Sequence, residues 1–270
     1  MRQTLFTWIC PISYSDRQNH ILLEVQKLGF LGIEEMADRY CVSPQTIRRD
    51  VNILSEAGEL RRVRGGVDMP VPRGNLVNAH RSALNAPGKK ALADLVAAEV
   101  EDGSSLAVSI GTTPQVVVEA LIGKSDLNIF TNNLNVAMLA SAQSNWSVTI
   151  PGGTLRAGDR DVLGPAVENF FGRYCVDFGI FGVGGVGATG DLLDFTEEEV
   201  ACRAAIQASC NAAFLVLDRS KFGRRAHVRG GDISSVHTVF CDAVPPPHIV
   251  DMLCASGTGL VTPQAGDGHE

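Results

Sequence analysis

Five apolar runs of strand length, each closed by a loop rich in glycine, threonine or asparagine, set the tightest limit on how this chain can fold. Residues 106–110 lead into Gly111-Thr112-Thr113-Pro114 and a helical pattern over 114–121. Residues 127–130 lead into Thr131-Asn132-Asn133 and a helical pattern over 134–142. Residues 146–150 run into Pro151-Gly152-Gly153, and residues 176–181 into Gly182-Val183-Gly184-Gly185-Val186-Gly187. Residues 214–217 run into Asp218-Arg219-Ser220-Lys221-Phe222-Gly223. Such alternation predicts an α/β domain with a mainly parallel sheet. The carboxyl ends of its strands then share one edge, where open α/β sheets bind ligands. The backbone and side chains of Gly111, Thr112, Thr113, Thr131, Asn132, Asn133, Gly152 and Gly153 bring N–H and hydroxyl donors to that edge, two of the loops opening helices. Lys221 adds a positive charge, and the set suits an anion, most simply a phosphate.

Two other motifs in this half point elsewhere. Gly182 to Gly187 matches G-x-G-x-x-G, but no helix follows at once and no acidic residue stands about 20 positions on, so no dinucleotide cofactor is expected. Thr196-Glu197-Glu198-Glu199 reads as a capping box opening a helix over 196–210.

The first quarter of the chain has another character. Ile21, Leu22, Val25 and Leu28 repeat at helical spacing until Gly29, and Ile33, Met36, Ala37 and Tyr40 outline a second short helix. Ser43 is a good N-cap, Pro44 fits the first helical position, and the third helix runs to about Ala57 before Gly58. Its inward stripe is Ile47, Val51 and Leu54. Gln45, Thr46, Arg48, Arg49 and Asn52 stand on other faces, where a recognition helix presents base-reading and phosphate-holding groups. Leu60-Arg61-Arg62-Val63-Arg64-Gly65-Gly66-Val67 then reads as a β-hairpin whose Arg61, Arg62 and Arg64 form a basic wing beside DNA.

Charge agrees with that division: net +1 over residues 1–73 and −8 over the remainder, within a total of −7. An acidic protein with a local arginine cluster contacts nucleic acid over a patch, not over its whole surface. Seven cysteines without a C-x-x-C pair suggest free thiols in a reducing cytoplasm, with no metal site. No apolar stretch approaches the roughly 20 residues of a membrane span. Residues 1–15 read as an N-terminal extension, 16–70 as a winged helix-turn-helix, 71–88 as a linker, 89–262 as the α/β domain and 263–270 as a tail.

Val42-Ser43-Pro44-Gln45-Thr46-Ile47-Arg48-Arg49-Asp50-Val51 and Leu60-Arg61-Arg62-Val63-Arg64-Gly65-Gly66 resemble the signature of the DeoR family of transcriptional repressors, with Arg64 where the family usually has histidine. In the second half, Gly111-Thr112-Thr113-Pro114, Thr131-Asn132-Asn133-Leu134-Asn135-Val136-Ala137, Gly190-Asp191-Leu192-Leu193-Asp194-Phe195 and Ser220-Lys221-Phe222-Gly223-Arg224 resemble the family's sugar-phosphate-sensing domain. That domain has a fold similar to ribose-5-phosphate isomerase, and Ser109 stands where the family usually has aspartate. The resemblance implies a homodimeric or homotetrameric cytoplasmic repressor. Ser43, Gln45, Thr46, Arg48, Arg49, Asn52, Arg61, Arg62 and Arg64 would face a double-stranded operator. The strand-end set together with Asp194 would bind a phosphorylated effector, glycerol 3-phosphate first, in control of glycerol metabolism genes. A different sugar phosphate is the alternative. An isomerase-like enzyme would need an acid or base among Asp191, Asp194, Glu197 and Asp218, and none of these lies in a catalytic motif.

Overall fold

Ser43 and Pro44 decide where the central helix of the N-terminal part begins. Ser43 has extended backbone (φ −68°, ψ 149°) and its hydroxyl accepts the Thr46 N–H, while Pro44 takes a place where no N–H is needed. The computed structural model describes residues 15–28, 30–57, 59–63, 65–68, 81 and 84–263. The chain divides into two compact units, Met1–Pro70 and Val71–Glu270. Gly29, Gly58, Arg64, the 1–14 part of the expected extension, the linker positions 71–80 and 82–83, and tail residues 264–270 lie outside the described residues.

In the first unit α1 (Asp16–Leu28), α2 (Ile33–Arg39) and α3 (Pro44–Glu56) pack with β1 (Phe30–Gly32), β2 (Arg61–Val63) and β3 (Gly66–Asp68). The strands form a sheet in the order β1-β3-β2. Ile21, Val25, Leu31, Met36, Ile47, Val51, Leu54, Leu60 and Val67 make its core. Strand β1 has no counterpart in the sequence reading. It exists because Phe30, Leu31 and Gly32 pair with Asp68, Val67 and Gly66 of β3. Gly66 therefore belongs to a strand and not to the hairpin turn. A Cβ there would lie 2.2 Å from the Leu31 carbonyl oxygen and 2.8 Å from the Phe30 ring, so only glycine lets the strands meet. Gly65, at φ +84°, supplies the turn.

Asp50 is the second departure. It lies on the inward face of α3 with Ile47, Val51 and Leu54, and is only 6% exposed. Its carboxylate accepts from Arg17 Nε at 2.6 Å and Gln18 Nε2 at 2.9 Å, which ties α3 to α1. That hydrogen bond raises the pKa of Arg17 beyond its ordinary value. On the other side of α1, Glu24 accepts from Arg39 Nη1 and from the Tyr40 hydroxyl, each at 2.7 Å.

The second unit is a layered α/β domain. Its strands are β4 (Ser105–Val108), β5 (Asn128–Thr131), β6 (Ser147–Thr149), β9 (Val176–Phe181), β12 (Cys210–Leu217), β14 (Thr238–Cys241) and β15 (Gly259–Val261). They form one parallel sheet in the order β15-β14-β12-β9-β4-β5-β6. Alternate residues point to opposite faces. Leu106, Val108, Ile129, Ile180, Phe214 and Phe240 join one core with α4 (Ala86–Glu99), α5 (Thr112–Ala120) and α6 (Leu134–Ser141). Ala107, Phe181, Leu215, Leu217 and Val239 join the other with α7 (Pro165–Phe171), α8 (Glu197–Ser209) and α9 (Pro247–Ser256). Both faces are covered, which is why the strands read as unbroken apolar runs.

Helix α4 opens at Ala86, inside the stretch read as a linker. Small antiparallel pieces complete the unit: β7 (Leu155–Arg156) with β8 (Asp161–Val162), and β10 (Gly185–Val186), β11 (Asp191–Asp194) and β13 (Val228–Asp232). The Gly182 to Gly187 segment thus leads into β10 and not into a helix. Asp50→Ala should remove both ties to α1 and cost roughly 1–3 kcal/mol, the penalty for stranding buried polar partners. Hydrogen exchange should show faster exchange in α1 and α3 and unchanged protection in the parallel sheet.

Candidate DNA-reading surface and anion pocket

Because Asp50 and the apolar stripe of α3 face inward, the rest of the helix is left to solvent. Gln45, Arg48 and Arg49 are exposed, while Thr46 and Asn52 are half-buried. Ser43 caps the helix and its hydroxyl lies 2.9 Å from that of Thr46. Arg48 Nη2 lies 3.4 Å from Glu34 Oε1 of α2, an exposed pair of small energetic weight. Arg62 Nη1 donates to Asn52 Oδ1 at 2.8 Å, joining the β2–β3 hairpin to α3. Arg61 Nε donates to Asp68 Oδ1 at 2.8 Å within the hairpin, and that bond raises the Arg61 pKa. Arg61 is thereby turned toward the hairpin itself, and Arg62 is the more exposed of the two.

The second site lies where the sheet reverses its winding, between β4 and β9. Ile110, Gly111, Thr112, Thr113 and Pro114 after β4, Gly182, Val183 and Gly184 after β9, and Val216 and Lys221 at and beyond the end of β12 line one pocket. Arg81, Asp194, Phe195, Glu199 and Arg224 complete its wall. Gly111 at φ +107° directs the chain into α5, whose first N–H groups have no intrahelical partner. Asp218 accepts the Ser220 N–H at 3.0 Å and so shapes the short turn that carries Lys221.

Cations gather at this helix start. Lys89 Nζ, on a side chain buried within α4, lies 3.3 Å from Thr112 Oγ1 and also donates to the Arg81 carbonyl. The Arg224 guanidinium lies 5.2 Å from the centre of the Phe195 ring. Burial first, then the charges of Arg224, Lys89 and Arg81, against the opposing pull of Asp218, push the Lys221 pKa down to about 7. Burial also lowers Lys89, again with Arg81 and Arg224 adding to the effect and Asp218 and Asp242 opposing it. Desolvated like charges of this kind favour an anion between them.

Of the sequence-derived effector set, Gly111, Thr112, Thr113, Asp194 and Lys221 meet in this pocket. The other five do not line it. Thr131 donates to the Val108 carbonyl at 2.8 Å and accepts the Asn133 N–H at 3.1 Å. Asn132 Nδ2 donates to the Val162 carbonyl at 2.7 Å. Asn133 caps α6 and donates from Nδ2 to the Gly111 carbonyl at 3.2 Å. These polar groups finish strand β5, and Asn133 braces the Gly111 loop. Gly152 and Gly153 are exposed, and Gly153 serves close packing, since a Cβ there would lie 2.5 Å from Val162.

Asp194 lines the wall with both oxygens engaged, accepting the Gly184 N–H at 2.9 Å and Arg203 Nη2 at 2.9 Å. Glu199, the last residue of the capping-box motif, does not face solvent. It is buried, accepts the Phe195 N–H at 3.0 Å and pairs with Arg156. Arg81, Lys89 and Arg224 were absent from the sequence-derived set. Lys89 had a readable signal, since it occupies the buried stripe Lys89, Leu92, Ala93 and Val96 of α4.

Among the described residues no group of three or more His, Cys, Asp or Glu side chains could hold a metal ion, and no helix is long and apolar enough to cross a membrane. Two family models match in sequence order: the DeoR-like helix-turn-helix domain over residues 17–73 and the DeoR C terminal sensor domain over residues 84–243. The chain is 39% identical to the glycerol-3-phosphate regulon repressor of Escherichia coli (strain K12) over 239 residues, 88% of this chain and 95% of that protein. It is 40% identical to the repressor of the same name from Haemophilus influenzae over 245 residues, 91% of this chain and 95% of that one. The HTH-type transcriptional repressor CsqR of Escherichia coli is 32% identical over 256 residues, covering 95% and 98%. Among solved structures, ribose 5-phosphate isomerase from Plasmodium falciparum aligns at a TM-score of 0.37 and 14% identity, over 50% of this chain and 52% of that one. Values that low carry no weight for activity. The two domain matches and the full-length relatives establish that the chain belongs to the DeoR family, with the family's DNA-binding domain ahead of its sensor domain.

Proposed function

We propose that this chain is a cytoplasmic repressor that reads duplex operator DNA with α3 and the wing and leaves it when a phosphorylated metabolite fills the sensor pocket. The observation that carries the sensor half is the meeting of Lys221, Lys89, Arg81 and Arg224 at the start of α5. A phosphate there would gain N–H donors, the Thr112 and Thr113 hydroxyls and several positive charges at once. Glycerol 3-phosphate is the effector to try first, because relatives matched over nearly their whole length are named for its regulon. Another sugar phosphate is the alternative, and a symmetric dimer or tetramer reading repeated half-sites fits the DNA-binding role.

Catalysis is not part of this reading. Asp194 is committed to Gly184 and Arg203, Asp218 to its own turn, and Asp191 to Arg229 at 3.1 Å. Glu197 stands exposed in the first turn of α8. Titration of a selected operator duplex with and without glycerol 3-phosphate and a panel of sugar phosphates tests the whole proposal. An operator affinity that none of them changes would overturn the sensor half.

Arg48→Ala and Arg49→Ala should each weaken operator binding by about 1–3 kcal/mol, the worth of one good base contact. Circular dichroism should show both variants folded, and operator affinity equal to the wild type in both would remove α3 as the reader. Arg62→Ala should lower affinity for all duplexes alike and reduce the slope of log affinity against log salt by about 1.

The Lys221 charge gives the ligand site a definite pH dependence. The ammonium binds an anion only while protonated, so affinity should fall as pH rises through about 7, with a proton taken up on binding. A phosphate monoester has already gained its second charge near pH 6 and does not offset this. Calorimetry between pH 6.5 and 8.5 should show the decline in the wild type and a much flatter profile in Lys221→Arg. Equal slopes in the two proteins would remove Lys221 from the site.

A further inference from the structure

Arg81 belongs to the pocket by position and to the connection between the units by sequence. The wing ends with β3 at Asp68, residues 69–80 follow, and α4 starts only at Ala86. Arg81 lines the pocket with Gly111, Thr112, Lys221 and Arg224. One arm of its guanidinium, Nη2, pairs with Asp159 in the β7–β8 turn, and both side chains are largely buried. Its backbone carbonyl accepts from Lys89 Nζ, the same ammonium that reaches Thr112 at the start of α5.

The guanidinium is not fully satisfied. Arg81 Nε is buried and has no hydrogen-bond partner among the described residues. A buried donor without an acceptor is costly, and here it sits on a cation already crowded by others. Asp159 neutralises one end of the guanidinium, and the Nε–H is left as a donor in want of an acceptor. Arg81 is also one of the charges that lower Lys89 and Lys221, so it shares their field.

Resting on the reading of this pocket as a phosphate site, we propose that Arg81 grips the ligand's anionic group and thereby makes ligand occupancy a constraint on the stretch of chain that leads back to the DNA-reading unit. An anion held at once by α5, Lys221 and Arg81 fixes the backbone at Arg81, 13 residues beyond the end of β3 at Asp68. A ligand shifts an operator equilibrium only by interacting differently with the DNA-bound and DNA-free states, and the grip on Arg81 is the contact assigned that role. The role is one of binding and coupling together, and its test must separate the two.

Arg81→Gln and Arg81→Lys in the full chain, with Lys221→Gln as a reference, make that separation. Calorimetry with glycerol 3-phosphate and with inorganic phosphate reads binding, and operator titration at saturating ligand reads coupling. Arg81→Gln should weaken ligand binding by about tenfold or more, and Arg81→Lys by less, because lysine keeps the charge and loses the fork. With ligand raised to saturate each protein, operator affinity should drop at least about fivefold in the wild type and less than about twofold in Arg81→Gln. Wild-type ligand affinity in Arg81→Gln, or full release of operator once it is saturated, would overturn the proposal. If Lys221→Gln loses ligand while Arg81→Gln keeps it, the pocket reading stands and the role of Arg81 falls. If the wild type binds neither probe and Lys221→Gln changes nothing, the pocket reading itself falls.

Discussion

Like charge gathered in a desolvated place is the constraint around which the sensor half is organised. Lys89, Lys221, Arg224 and Arg81 approach the first turn of α5, where unpaired N–H groups add to the positive potential. The fold keeps them there by engaging their surroundings: Asp218 shapes the turn bearing Lys221, Asp159 holds one end of Arg81, and the Phe195 ring lies beneath Arg224. Asp194 and Glu199 also reach the pocket wall, yet each is tied to an arginine outside the cluster. Those two carboxylates therefore stabilise the frame through Arg203 and Arg156.

Such a cluster needs a rigid base, and the parallel sheet provides one. Each central strand gives alternate side chains to two separate cores. A shift of one residue in β4 or β9 would exchange Val108 or Ile180 with neighbours that belong to the opposite core, so register is strongly held. Thr131, Asn132 and Asn133 finish β5 with polar ties, the last of them to the Gly111 loop. The loops at the pocket are thus placed by strands that have little freedom to slide.

Much of this was legible in the chain. The third helix announced itself through Ser43, Pro44 and the spacing of Ile47, Val51 and Leu54, and the parallel sheet through its apolar runs. Strand β1 was not legible, because three residues after a glycine become a strand only when a distant hairpin lies beside them. The inward stripe read from the sequence omits Asp50, although it stands three residues after Ile47 and one before Val51, on the buried face. In the pocket, sequence reasoning found the residues that follow strands and missed those brought in sideways. Arg81, Lys89 and Arg224 lie far apart in the chain, in segments with no common motif, and only the packing of α4 and the loop after β12 against β4 unites them. Conversely, Thr131, Asn132 and Asn133 carry the right chemistry at the right edge, but their side-chain donors go to the carbonyls of Val108, Val162 and Gly111. A polar residue at a strand end can serve a ligand or the turn beneath it, and sequence position does not distinguish the two.

In the first unit, the side chains that hold the fold and those that face outward are sharply separated along one helix. Ile47, Asp50, Val51 and Leu54 are buried, whereas Gln45, Arg48 and Arg49 are exposed and make few or no internal contacts. Replacing an exposed residue of that kind shifts stability by only about half a kcal/mol in either direction. With α3 as the proposed reader of DNA, the helix can therefore accept a new set of outward residues, and with it a new preferred base sequence, while its folding energy stays almost constant. Divergence of operator specificity within such a scaffold is then limited by the DNA sites available, since the protein's own stability scarcely registers the change.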